Sequence, residues 1–87
     1  MIKNGLIINA NGDKAWYLND QIHREGGPAI EYADGTKCWL LNGERHRKDG
    51  PAIEWANGFK EWYFHGKHIN VSSNEKFLRM LKLKAFW

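Results

Sequence analysis

The chain has 87 residues, a net charge of +3 at neutral pH, 43% hydrophobic residues and one cysteine, Cys38. This length predicts a single domain over residues 1–87, and one cysteine excludes an intramolecular disulfide and a zinc site built on cysteine pairs. The apolar runs are shorter than a signal peptide or a membrane-spanning helix requires, so we expect a cytoplasmic protein without membrane contact.

The positive charge lies at the C-terminal end of the chain. Residues 1–71 contain nine basic and nine acidic residues, whereas residues 72–87 contain four basic residues and Glu75 alone, so the whole excess of +3 lies there. The four basic residues are Lys76, Arg79, Lys82 and Lys84. A weak basic excess does not by itself establish nucleic-acid binding.

Residues 6–70 contain almost three copies of one unit with a period of 23 residues. The aligned residues are Gly12, Gly35 and Gly58; Trp16, Trp39 and Trp62; His23-Arg24 and His46-Arg47; and the segments Gly27–Glu31 and Gly50–Glu54. A period of this length is typical of an array in which each unit buries its apolar surface against its neighbours.

Each unit contains two turn signals. The first signals are Asn11-Gly12, Asp34-Gly35 and Asn57-Gly58, and the second are Asn19-Asp20, Asn42-Gly43 and His65-Gly66. We interpret both kinds as two-residue hairpin turns, although only Asn42-Gly43 among the second set is an ideal dipeptide. The middle unit then has strands at about residues 29–33, 36–41 and 44–47. The predicted fold is mainly β, an antiparallel meander of about nine short strands.

Two-residue turns determine which side chains share a face of this sheet. They place Ile30 opposite Trp39, and Trp39 opposite His46, so these three side chains form one packed row. Ile69 occupies in the third unit the place that histidine occupies twice, which favours packing over proton transfer for the histidines. The residues predicted for the sheet core are Trp16, Trp39, Trp62, Ile30, Ile53, Ile69, His23 and His46.

The opposite face of the predicted sheet presents the arginines. Arg24 and Arg47 lie there beside Glu31 and Glu54, with which they can form weak surface ion pairs. On this interpretation Arg47 points away from Trp39 and is left free to contact another molecule.

Residues 73–86 are predicted to form an amphipathic basic helix that caps the array. Ser72 and Glu75 form a capping box, and Ser73 is an alternative N-cap. One apolar face contains Phe77, Leu78, Leu81 and Ala85, and a second contains Met80, Leu83 and Trp87. Phe77 and Leu81 of the first face are predicted core residues. The first face is expected to dock on the sheet.

No nucleophile elbow, phosphate-binding loop or zinc-ligand spacing is present, so we expect no enzyme, metal or cofactor. His23 and His46 as an acid–base pair of a nuclease remain a remote alternative. The candidate residues for binding a partner protein or RNA are Arg24, Arg45, Arg47, Lys48, Lys76, Arg79, Lys82, Lys84 and Trp87.

The repeated pattern N-G-x-K-x-W-(Y/L)-x-N-G-x-x-H-R-x-x-G-P-A-I-E resembles short MORN-like β-hairpin repeats of small bacteriophage proteins and antitoxin-like repeat proteins. The resemblance covers residues 6–70 and departs from the pattern at Asn19-Asp20, His65-Gly66 and Ile69. It implies a binding or inhibitory module without catalytic residues, and a host toxin or defence component as the partner. The host cytoplasm is then the expected location.

Two main functional hypotheses therefore stand beside the nuclease. The first is a module that neutralises or regulates a partner protein through the repeat face and the tail helix. The second is an RNA-binding protein that acts on a toxin ribonuclease through shared RNA. We also expect a homodimer, either through an exposed sheet edge or through Met80, Leu83 and Trp87.

Overall fold

The computed structural model describes residues 2–83, which form ten β-strands and one C-terminal α-helix. The elements are β1 (Gly5–Ile8), β2 (Lys14–Leu18), β3 (Gln21–Ile22), β4 (Ile30–Glu31), β5 (Lys37–Cys38), β6 (Leu40–Leu41), β7 (Glu44–Arg45), β8 (Ile53–Glu54), β9 (Lys60–Phe64), β10 (Lys67–Ile69) and α1 (Asn74–Leu83). All strand pairs are antiparallel. The prediction of a mainly β, meander-like sheet followed by one helix is confirmed.

The strands form a branched sheet and a separate ribbon. Eight strands form one sheet in the order β1-β2-β4-β5-β8-β9-β10, with β3 paired to β2, while β6 and β7 pair with each other. The predicted middle strand of the second unit is divided at Trp39 into β5 and β6. Its first half pairs with β4 and β8, and its second half pairs with β7. The described strands therefore number ten where the prediction had nine.

The first turn of each unit is a three-residue loop, so the prediction of a two-residue turn was wrong here. The Tyr32 N–H donates to the Thr36 carbonyl (2.8 Å) and closes the loop Ala33-Asp34-Gly35. Gly35 has a φ of +98°. A type I turn followed by a left-handed glycine is the usual three-residue hairpin connection. Residues 10–12 and 56–58 form the same loop; we call the three the tip loops.

The longer loop shifts the register by one residue and reverses the predicted faces. Ile30 pairs with Cys38 and not with Trp39. Since consecutive side chains of a strand point to opposite faces, Ile30 and Trp39 lie on different sides of the sheet. One row across the sheet consists of Ile7, Ala15, Ile30, Cys38, Ile53 and Glu61. We call its side the open face, and the side of Trp16, Trp39 and Trp62 the tryptophan face.

The second turn of each unit is a two-residue type I′ turn, as predicted. Both residues have positive φ in all three copies, including the non-glycine residues Asn19, Asp20, Asn42 and His65. The predicted placement of Trp39 opposite His46 is confirmed, because the His46 N–H donates to the Trp39 carbonyl (3.0 Å). Ile69 pairs with Trp62 at the equivalent place in the third unit.

Helix α1 begins at the alternative cap. The Ser73 Oγ accepts the N–H of Lys76 (3.2 Å), and the Ser73 carbonyl accepts the N–H of Phe77 (3.1 Å). Ser72 does not form the predicted capping box with Glu75, and its Oγ contacts the Lys76 Nζ instead (3.1 Å). A serine hydroxyl that bonds to the third helical N–H is the usual N-cap.

The helix docks on the C-terminal end of the tryptophan face. Phe77 is fully buried and packs with Trp62 and Ile69, and Met80 and Leu81 lie at the edge of this cluster. Leu78 was predicted to dock but is 43% exposed, whereas Met80 packs against the buried cluster. The predicted helix continues to residue 86, and residues 84–87 lie outside the part that the structure describes.

The remaining predicted core residues differ in burial. Ile53 is buried, while Ile30, Trp16, Trp39, His23 and His46 are half-buried. The extent of the core therefore grows toward the third unit, where the helix adds a second layer.

Candidate interaction surfaces

Each repeated histidine binds the second turn of the following unit. The His23 Nδ1 accepts the backbone N–H of Asn42 (2.9 Å), and the His46 Nδ1 accepts the backbone N–H of His65 (2.9 Å). The N–H of a type I′ turn residue would otherwise lack a partner within its own hairpin. The histidine is therefore a joint between neighbouring units.

The two ends of the array replace this joint. The type I′ turn of the first unit, Asn19-Asp20, has no preceding histidine within residues 2–83. The Asn4 Oδ1 accepts the N–H of Asn19 (2.9 Å) in its place. In the third unit Ile69 stands at the histidine position and packs against Phe77. Within residues 2–83 no hairpin follows Ile69, so an acceptor there would have no turn to bind.

The environment of His46 favours the neutral imidazole. Burial lowers the pKa of His46 below its ordinary value, and the nearby His65 lowers it further, while Glu44 acts in the opposite direction. The His46 ring also lies against the Phe64 ring at 4.6 Å and the His65 ring at 4.2 Å between centroids. An Nδ1 that accepts a hydrogen bond must be unprotonated, which agrees with the lowered pKa.

The repeated arginines stack on the repeated tryptophans. The guanidinium carbon of Arg47 lies 3.9 Å from the Trp39 ring centroid, and Arg24 lies at the same distance from Trp16. The Arg47 Nη1 also donates to the Pro51 carbonyl (3.0 Å) and to Glu54 (3.0 Å). Its Nε donates to Asp49 (3.0 Å), and 22% of the side chain is exposed.

These contacts overturn the inference that Arg47 points away from Trp39 and is free to bind another molecule. The chain leaves the strand after Arg45 and bends over residues 48–50, which returns the guanidinium to the tryptophan face. Arg24 has the corresponding contacts with Pro28 (3.1 Å) and Glu31 (3.4 Å). Both arginines are therefore part of the framework of the array, because each stacks on the tryptophan of its own unit and bonds to the glutamate of the next.

The other candidate cations lie in separate places. Lys48 borders an open groove of about 620 Å³ between the two arginine-bearing loops, with Arg24, Trp39 and His46. Arg45 lies 5.3 Å from the Tyr63 ring centroid, on the open face.

The helix cations form the third group. Lys76 and Arg79 line a second concavity on the helix with Met80, and Arg79 also contacts Glu75 (3.4 Å). Lys82 is exposed in the last described turn. Lys84 and Trp87 lie outside the described residues.

A row of aromatic side chains that the sequence interpretation missed lies on the open face. Tyr32 is 42% exposed, Trp55 44% and Phe59 73%. Tyr32 neighbours Thr36, and Trp55 neighbours Phe59, across the two tip loops. The pairing of Lys37 with Glu54 places Thr36 beside Trp55. Tyr32, Thr36, Trp55 and Phe59 therefore form one line, the tip row.

Polar contacts between the loops hold the tip row in position. The Thr36 Oγ1 accepts the N–H of Ala56 (3.1 Å), and the Asp13 Oδ1 accepts the N–H of Ala33 (2.8 Å). The latter bond lowers the pKa of Asp13 below its ordinary value. Phe59 occupies the equivalent position in the third unit and has no acceptor in its side chain, so the tip row ends in an exposed ring.

The repeat alignment already contains the signal for this row. Tyr32 aligns with Trp55, one residue before each alanine of the tip loop, and Phe59 aligns with Asp13 and Thr36. A three-residue loop places all of them at hairpin ends on one face. The two-residue interpretation concealed that relation.

Among residues 2–83, no group of three or more His, Cys, Asp or Glu side chains is arranged to hold a metal ion. No helix in that part of the chain is long and apolar enough to cross a membrane.

Comparison of the chain with protein-family models, with curated proteins and with solved structures gives no match. The resemblance to MORN-like repeats therefore stays a prediction that depends on the repeated residues alone.

Proposed function

We propose that the protein is a non-enzymatic binding module that recognises and regulates a partner protein through the open face. The observation that supports this proposal is the tip row. Tyr32, Trp55 and Phe59 expose large rings along one line on loops that hydrogen bonds join to each other. Aromatic side chains are enriched at protein interfaces, and neighbouring exposed apolar groups on a small domain mark an interaction site.

The engagement of the arginines supports a protein partner over RNA. Phosphate binding needs cations that are available to the ligand. Arg24 and Arg47 instead contact Glu31 and Glu54 of the following units. The RNA hypothesis then depends on the exposed cations Arg45 and Lys48 and on the helix cations, of which Lys76, Arg79 and Lys82 lie in the described residues.

The hydrogen bonds of the two repeated histidines support a structural and not a catalytic role for these side chains. Both His23 and His46 use Nδ1 to bind a backbone N–H of the next unit. The resemblance to antitoxin-like repeats suggests a toxin or a defence protein of the host as the regulated partner.

The test is affinity capture from a lysate of the native host with three forms of the protein. One is unchanged, one has Tyr32→Ser and Phe59→Ser, and one has Lys76→Ala, Arg79→Ala and Lys82→Ala. Each capture is done with and without ribonuclease. Matching thermal unfolding of the three forms verifies that the substitutions leave the fold intact.

We expect one protein that is retained after ribonuclease treatment, lost with the tip-row variant and kept with the helix variant. Loss of binding with the helix variant and with ribonuclease would contradict the proposal and support the RNA hypothesis. Retention of the same protein by the tip-row variant would show that the open face is not the contact surface.

A further inference from the structure

Strand β1 is the outermost strand of the sheet, and its side chains are apolar and exposed on both faces. Its neighbour on one side is β2, and no described strand lies on the other side. Leu6 is 47% exposed, Ile7 41% and Ile8 55%. An exposed apolar edge of this kind is a template for pairing with another strand.

The backbone of β1 presents free hydrogen-bonding groups along this edge. The Asn9 N–H donates to the Asp13 carbonyl (3.0 Å), so Asn9 faces β2. Because consecutive residues of a strand alternate, Ile7 also faces β2, and the carbonyl of Leu6 and both backbone groups of Ile8 point outward.

Inside the array the equivalent carbonyl groups are paired with the preceding unit. The carbonyl of Ala29 accepts the N–H of Trp16 (2.9 Å), and the carbonyl of Ala52 accepts the N–H of Trp39 (2.7 Å). Leu6 is the residue that aligns with these two alanines. Within residues 2–83, the first unit therefore has the backbone of a junction and no preceding unit to pair with.

The side chains of β1 do not fit a continuation of the array by a second copy placed head to tail. Glu31 pairs with Lys14, and Glu54 pairs with Lys37. Ile8 aligns with these two glutamates, and Lys60 aligns with these two lysines. In a head-to-tail assembly Ile8 would therefore meet Lys60 of the other copy.

Two further positions oppose the same arrangement. Ala29 and Ala52 are fully buried in their junctions, so the larger Leu6 has no room in the same geometry. The third unit also has Phe59 and Ile69 where Thr36 and His46 accept hydrogen bonds from the next unit.

We propose that β1 pairs antiparallel with β1 of a second copy across a two-fold axis. This arrangement places apolar side chains opposite apolar side chains and satisfies the outward groups of Leu6 and Ile8 on both copies. It joins the two sheets edge to edge with their open faces on the same side. A two-fold contact is closed, so assembly stops at the dimer.

Light scattering on a sizing column, at protein concentrations from about 10 to 500 µM, tests the proposal. The expected mass is twice the chain mass of 10.2 kDa at the upper concentrations. A monomer throughout the range would overturn it.

The variant Ile8→Glu separates the two arrangements. In the symmetric dimer the new carboxylates lie near each other in an apolar contact. We therefore expect the dissociation constant of the dimer to rise at least tenfold. In a head-to-tail assembly the new carboxylate would face Lys60, as Glu31 faces Lys14, and association would strengthen. Stronger association of Ile8→Glu would therefore overturn the proposal.

Three further variants complete the design. Ile8→Pro removes an outward N–H and none of the hydrogen bonds between β1 and β2, and it is expected to yield a monomer with an intact circular-dichroism spectrum. Lys60→Glu is expected to leave the dimer unchanged. Leu83→Lys is also expected to leave it unchanged, and a monomeric Leu83→Lys would assign the contact to the helix and contradict the proposal.

Discussion

The repeated His-Arg pair has two separate structural roles at the level of single residues. The histidine side chain reaches forward and binds the turn of the next unit, while the arginine folds back on the tryptophan of its own unit. The histidine therefore connects units, and the arginine stabilises the loop that leads from one unit to the next.

The lowered pKa of His46 predicts that acid destabilises the protein. In the folded state the neutral ring is favoured, whereas the unfolded chain takes up a proton near its ordinary pKa of about 6.5. The unfolded state thus binds more protons below that pH, so the free energy of unfolding falls as the pH decreases from about 6.5. Urea unfolding at several pH values measures this slope.

The control for this prediction is His46→Gln, whose side chain cannot titrate. We expect a smaller loss of stability between neutral and mildly acidic pH in this variant than in the unchanged protein. An identical slope in both proteins would show that His46 does not contribute to the acid sensitivity.

Replacement of Arg47 by alanine is expected to lower the free energy of unfolding by about 1–3 kcal/mol. The change removes a cation–π contact and leaves Glu54, which is partly buried, without its partner. Arg45→Ala is the matched control, because Arg45 is exposed and its replacement should change stability by less than about 0.5 kcal/mol. Equal effects of the two substitutions in thermal or urea unfolding would contradict the framework role of Arg47.

The turns explain which parts of the fold are predictable at the level of elements. Asn42-Gly43 specifies a two-residue turn, and the repeat extends that geometry to Asn19-Asp20 and His65-Gly66, so the pairing of Trp39 with His46 follows from the sequence. The dipeptide Asp34-Gly35 is compatible with loops of two and of three residues. The predicted loop was one residue too short, which shifted the register of the strands by one residue. That shift assigned Ile30 and Trp39 to the same face and concealed the tip row.

The position of Arg47 could not be derived from strand alternation. Alternation places Arg47 on the side opposite His46, but the strand ends at Arg45 and the chain bends before Gly50. Stacking on Trp39 depends on that bend. The direction of an arginine beyond a strand end is decided by tertiary contacts and not by periodicity.

The three-residue loop predicts a specific response to substitution of Gly35. Its φ of +98° is unfavourable for other residues, while a methyl group there would meet only the Ala56 Cβ at an acceptable 3.9 Å. We expect Gly35→Ala to destabilise the protein by roughly 1–2 kcal/mol through backbone strain alone. Gly35→Asn should lower the free energy of unfolding, measured with urea, by less than Gly35→Ala does, because asparagine tolerates the left-handed region better than alanine. A neutral Gly35→Ala would contradict the loop conformation.

At the scale of the whole molecule, the array is closed differently at its two ends. Asn4 and the β1 edge lie at the beginning, and the helix covers Trp62 and Ile69 at the end. Both ends of the described array depart from the repeated pattern: Asn4 replaces the histidine acceptor in the first unit, and Ile69 replaces it in the third, which no further hairpin follows within residues 2–83.

The helix should be required for the stability of the third unit. Phe77 is fully buried between the helix and the sheet. Phe77→Ala is expected to cost about 3–5 kcal/mol, the usual range for a buried phenylalanine. Leu78→Ala, on the exposed side of the same helix, should cost much less. Similar thermal stabilities of the two variants would contradict the docking of the helix by Phe77.

The claim that the repeated histidine joins one unit to the next is tested most directly by amide hydrogen exchange, measured by NMR, at the turn residues His65 and Asn42. We expect both amides to be protected in the unchanged protein, His46→Ala to accelerate exchange at His65 alone, and His23→Ala to accelerate exchange at Asn42 alone. Rapid exchange of His65 in the unchanged protein, or no acceleration in His46→Ala, would contradict the claim.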